Sequence, residues 1–141
     1  MTQYNKTIVT VETHITNSLE KAWASWTQPQ HITQWNHASD DWVCPSATND
    51  LKVGGRFSSR MEAKDGSVGF DFWGIHDEIA LNQNIKSTMG DGRKMEVRFI
   101  QEAGSVKVIE TFEIEDENSI ELQRQGWQAI LDNYKAHTEG L

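Results

Sequence analysis

The sequence contains one cysteine, Cys44, in 141 residues, and a single thiol excludes both an intrachain disulfide framework and a cysteine-rich zinc site. Long apolar runs are also missing. No stretch approaches the roughly 20 residues of a membrane-spanning helix, so membrane insertion is not expected. Met1 to Lys6 lack the basic segment and apolar core of a secretory signal, which makes the cytoplasm the expected location. Positive charge is scarce: 13 Lys and Arg stand against 21 Asp and Glu, a formal net charge of -8, and no basic stripe interrupts the imbalance. Binding to nucleic acid needs a clustered positive field and is not expected, and the same acidity opposes docking on anionic lipid head groups.

What is present suits a packed protein. With 37% hydrophobic and 24% charged residues the chain is too apolar for disorder, and its length predicts one domain, residues 1–141, around one core. Thr7 to Ile15 alternates as a half-buried strand, with Val9, Val11, Thr13 and Ile15 on one side. Asn17, with Glu20 three residues on, predicts the start of a short helix reaching Thr27; Pro29 opens a second that ends near Trp35. Asn36 to Gly55 shows no sustained period and reads as a long ordered loop, with Gly54-Gly55 setting a tight bend. Turn signals then divide a meander into strands at Arg56 to Ala63, Val68 to Glu78, Ile85 to Met89, Lys94 to Gln101 and Val106 to Glu113. The chain closes with one amphipathic helix, Asn118 to Thr138, whose cap is expected from Asn118 and Glu121. Its inner arc is Ile120, Trp127, Ile130, Leu131 and Tyr134.

One face of the meander collects Phe57, Met61, Val68, Phe70, Phe72, Met95, Val97, Phe99, Val106, Val108 and Phe112, and only the last helix is long enough to cover it. A sheet curved around that helix, with the two short helices at one end, leaves space beneath the helix. Gly126 stands where a side chain is missing near the apolar arc, either for close packing or for a cavity.

Trp23 through Pro29 with Trp35, the run Asp50-Leu51-Lys52-Val53-Gly54-Gly55-Arg56-Phe57, Met61 followed by Asp65-Gly66, Gly74, and Gly126-Trp127 occur here in one order. In these motifs the sequence resembles the Aha-type domains, named for the activator of the heat-shock-protein-90 ATPase and its homologues. They are members of the START-like, or SRPBCC, superfamily. The resemblance implies an α+β helix-grip fold of the Bet v 1-like kind. It also implies a cavity that in the wider superfamily holds lipids, sterols, polyketides or other flat hydrophobic molecules. A small hydrophobic ligand is therefore the expected partner, with no cofactor or metal. A chaperone contact, and a cyclase- or hydrolase-like activity in the same cavity, are the alternatives. The chaperone activator carries a further domain ahead of this one; with 141 residues no such domain is expected here, which makes chaperone stimulation the less expected role.

The expected cavity residues are Trp35, Trp42, Met61, Phe70, Phe72, Met95, Glu110, Phe112, Gly126, Trp127 and Ile130. Acid–base candidates are Glu110 and the loop residues His37, Asp40 and Asp41, although the two aspartates equally suit a local turn with Trp42 plugging the core. His37, Asp40, Asp41 and Cys44 match no familiar zinc spacing, and Cys44 reads more readily as a small buried hydrophobe than as a nucleophile paired with His37. Glu110 falls in phase with Val108 and Phe112, so its carboxyl points at the helix unless a bulge reverses the face.

Overall fold

The computed structural model describes residues 3–141. Strand β1 (Ile8–Ile15) is followed by helices α1 (Leu19–Thr27) and α2 (Pro29–Trp35), then by short strands β2 (Trp42–Val43) and β3 (Ala47–Asn49). The meander runs through β4 (Arg56–Ala63), β5 (Gly69–Ala80), β6 (Asn84–Met89), β7 (Lys94–Glu102) and β8 (Ser105–Glu113), and α3 (Ile120–Glu139) ends the chain. All pairings are antiparallel and the sheet order is β1-β8-β7-β6-β5-β4-β2, with β3 also on β4. This curled half-barrel holds α3 in its concave face, which is the helix-grip α+β architecture.

The alternation of β1 is realised in full: Val9, Val11, Thr13 and Ile15 are buried and the residues between them exposed. Val9, Val11 and Ile15 join Val97 and Phe99 of β7, Val106, Val108 and Phe112 of β8, and Leu131 and Tyr134 of α3 in one buried cluster. Helix α3 lies closest to β1, α1 and α2, and its backbone stands off from the middle strands. The short helices and the turn after α2 are tied to it by polar bonds. Tyr134 donates to the Ala22 carbonyl at 2.7 Å, Ser25 and Thr138 share a bond of 2.7 Å, and Asn133 donates to the His37 carbonyl at 2.6 Å.

Four details differ from the sequence reading. Both caps sit one residue later: Ser18 accepts from Lys21 N–H and Ser119 from Leu122 N–H, because a serine at that place reaches the third N–H of the helix. Asn17 instead binds the end of α3 by donating to the Thr138 and Leu141 carbonyls. The region Asn36 to Gly55 is not a plain loop, since β2 and β3 pair with β4 (Trp42 with Ala63, Ala47 with Ser59). Strands of two and three residues are too short to show a period. Val68 precedes β5 and is exposed, and Ile120 at the mouth of α3 is exposed too; buried Gln123 replaces it, bonded to the backbone of Glu115 and Asn118.

Candidate functional site

Between the concave sheet and α3 lies a cavity of about 300 Å³. Trp26 of α1, with Ile32 and Trp35 of α2, closes one end; Phe57, Met61, Phe70, Phe72, Ile85, Met95 and Val97 form the sheet wall; Trp127 and Ile130 of α3 form the roof. The space exists because α3 leans on β1 and the short helices, so only its large side chains reach back towards β5–β7. Gly74 helps shape the wall. A β-carbon there would come within 2.6 Å of both the Phe57 ring and the Thr88 carbonyl, so only glycine lets Phe57 lie over β5 and stack on His76 at 5.3 Å.

Of the residues expected at the cavity, Trp35, Met61, Phe70, Phe72, Met95, Glu110, Trp127 and Ile130 line it. Three do not. Phe112 is fully buried beneath Trp127, the rings parallel within 10° and 3.9 Å apart, so it supports the roof from the core side. Trp42 packs edge-on behind Phe70, 6.0 Å between ring centres, because pairing with Ala63 holds it at the sheet edge. Gly126 has open space where its β-carbon would be and is absent from the cavity wall, so neither close packing nor the cavity requires a glycine there.

The acid–base candidates separate in the same way. His37, Asp40 and Asp41 lie outside the cavity: Asp40 and Asp41 are exposed, Ser39 donates to the Asp41 carboxylate, and Lys64 N–H binds the Asp41 carbonyl. Their bonds hold a surface turn together. Cys44 is buried, its thiol donates to the Ser46 carbonyl at 3.4 Å, and burial pushes its pKa up, opposite to what a nucleophile needs. Among the described residues no cluster of three or more His, Cys, Asp or Glu side chains gathers as a metal site requires.

Glu110 points inward. The residue is 5% exposed and lines the cavity, and among the described residues its carboxyl has no hydrogen-bond or ion-pair partner. Its sheet neighbours are Val11 of β1 and Val97 of β7, with Val108 and Phe112 in phase along its own strand. Desolvation therefore acts unopposed and pushes its pKa from the ordinary 4.5 to about 8. Glu113, three residues on, shows what a satisfied buried carboxylate looks like in the same strand. It accepts from the N–H groups of Asn5, Lys6 and Lys94 at 2.6, 2.7 and 2.7 Å. Burial raises its pKa, but the three donors outweigh that and the net shift is downward.

A second polar element, not anticipated from the sequence, faces the same space. Asn49 donates to the Thr27 carbonyl at 2.8 Å, which turns its amide oxygen towards His76 Nε2, 2.7 Å away. His76 therefore carries its proton on Nε2, and Nδ1 accepts from the Ser87 hydroxyl at 3.0 Å. Desolvation lowers the His76 pKa despite nearby Asp50 and Asp77, so the ring is neutral and Ser87 offers the cavity only an acceptor. Arg93, in the turn just before β7, lines the cavity while bound to the Asp91 carboxylate at 2.7 Å and the Glu113 carbonyl at 3.2 Å. Asn36 lines the wall as well; alternation from Phe72 through Gly74 points to His76, but no sequence signal places Asn36, Asn49 or Arg93 here.

A curled antiparallel sheet gripping a long C-terminal helix over an aromatic cavity defines the START-like class, whose members commonly bind hydrophobic ligands. Within that class the chain belongs to the activator of Hsp90 ATPase homolog 1-like family, whose model matches residues 17–139. It is similar to the AHSA1-like protein of Aeromonas hydrophila at 41% identity, over 95% of this chain and 93% of that one, with a TM-score of 0.89. It is also similar to a protein of Cytophaga hutchinsonii at 45% identity, over 93% and 91%, with a TM-score of 0.80. A Chromobacterium violaceum protein at 18% identity, covering 94% and 98% with a TM-score of 0.84, shares the fold. No curated protein matches the chain. No helix among the described residues is long and apolar enough to cross a membrane.

Proposed function

We propose that the protein binds a small hydrophobic molecule, flat aromatic or lipid-like, in the cavity beneath α3, and that residues 1–141 act as one such binding domain. The observation that carries this reading is a space of about 300 Å³ walled by aromatic and aliphatic side chains inside an otherwise well-packed core. Protein interiors close up where nothing has to be held, and a cavity of this size and lining is what a small-molecule site requires. Trp35, Met61, Phe70, Phe72, Met95, Trp127 and Ile130 are the contact residues in this reading. Binding is favoured over catalysis because only Glu110 of the four acid–base candidates reaches the cavity, and it has no side-chain partner to form a catalytic pair. A chaperone contact rests on the family description alone. The test is native mass spectrometry of protein purified from its own cell, followed by a tryptophan-fluorescence screen with flat aromatic and fatty-acyl compounds. A retained small molecule, or quenching of Trp35 and Trp127 that saturates, is the expected result; neither retained mass nor any saturable change sinks the reading.

A further inference from the structure

A fold-stabilising role does not account for Glu110. The surrounding strands give it valines and a phenylalanine, no donor among the described residues satisfies it, and the neighbouring Glu113 shows that this strand can satisfy a buried carboxylate where the structure calls for one. Its carboxyl faces a cavity whose walls include the rings of Trp35, Phe57, Phe72 and Trp127. The other titratable groups on the wall are already engaged, His76 with Asn49 and Ser87, Arg93 with Asp91. The protein's net charge of -8 favours an approaching cation.

Building on the ligand-binding reading above, we propose that the cavity selects a lipophilic amine, an apolar and preferably aromatic body carrying one protonated nitrogen, with Glu110 as its buried counter-ion. Each part of the site has a job in this assignment. The aromatic faces stack on the body and attract the cation through their quadrupoles. Ser87, already donating to His76, can only accept, so it favours a ligand N–H over a ligand carbonyl. Glu110 is mostly protonated in the empty site at neutral pH, and ionising it there opposes binding by only about tenfold, well within what a desolvated ammonium–carboxylate pair returns. The proton balance is definite. An ammonium that enters from water keeps its proton, Glu110 gives up its own, and close to one proton per ligand passes to the buffer at pH 7.

The experiment uses three probes with one body: 2-(1-naphthyl)ethylamine, 2-(1-naphthyl)ethanol and 1-naphthylacetate. Titration calorimetry of the full chain at pH 7, in two buffers of different ionisation enthalpy, reads affinity and proton release together. The amine is expected to bind at least about tenfold tighter than the alcohol and to release close to one proton, the alcohol to release none, and the carboxylate to bind most weakly. Glu110→Gln is expected to remove the amine's advantage and its proton release while leaving the alcohol's affinity within about twofold. Proton release by the unmodified protein gives a readout that needs no variant. Equal binding of amine and alcohol, or a preference that survives Glu110→Gln, overturns the assignment and leaves the hydrophobic-ligand reading standing. If none of the three binds, the amine assignment falls, and the hydrophobic-ligand reading is decided separately by the retained mass and the fatty-acyl compounds of the wider screen.

Discussion

Glu110→Gln is expected to stabilise the folded protein, and increasingly so as pH rises. The unfolded chain releases the Glu110 proton near the ordinary value of 4.5, whereas the folded protein holds it until about 8. Throughout that window the folded state binds one proton more than the unfolded state, so the contribution of Glu110 to stability falls by about 1.4 kcal/mol per pH unit. The loss is under about 1 kcal/mol at pH 5 and on the order of 3 kcal/mol at pH 7, a large part of a total stability of about 5–15 kcal/mol. Glutamine has nearly the same shape and no titration, and its amide meets the same unpartnered cavity as the protonated acid. Urea unfolding of both proteins at pH 5, 6, 7 and 8 isolates the effect. Other titrating groups, such as Glu113 and His137, are common to both and cancel in the difference. The expected difference grows from about 1 to about 3 kcal/mol or more across the series. A difference independent of pH would refute the argument, because it would mean that Glu110 is solvated or paired in the folded protein.

Gly126→Ala is expected to stabilise the protein by about 0.5–1 kcal/mol, since the new methyl meets open space and a helix interior gains from losing glycine; thermal unfolding reads this as a higher Tm. Gly74→Ala runs the other way. Its β-carbon falls 2.6 Å from the Phe57 ring and the Thr88 carbonyl, so destabilisation of about 1–3 kcal/mol is expected in chemical denaturation, and a neutral result would show that the wall repacks freely. Tyr134→Phe removes a second donor from the Ala22 carbonyl, which keeps its helical bond within α1, and is expected to lower unfolding free energy by about 0.5–1.5 kcal/mol in chemical denaturation.

Local chemistry determined much of what is seen. The period-2 alternation in β1, the turn signals between the meander strands and the apolar arc of Leu131 and Tyr134 fixed element types and buried faces, because each is a matter of near neighbours along the chain. The phase of Val108, Glu110 and Phe112 left two directions open for the carboxyl, and the unbroken pairing of Glu110 with Val11 and Val97 decided for the inward one. The rest depended on distant partners. Strands β2 and β3 exist through pairing with β4, Ser18 and Ser119 displaced the expected caps by one residue, and Trp42 and Phe112 missed the cavity by the thickness of one ring. His76, Asn49 and Ser87 converge from three strands into one hydrogen-bonded chain that no spacing announces. Sequence alone set which side chains are apolar and which strand carries the odd carboxylate. Only the tertiary structure decided that α3 stands off the middle of the sheet, and so that Glu110 meets a cavity instead of a partner.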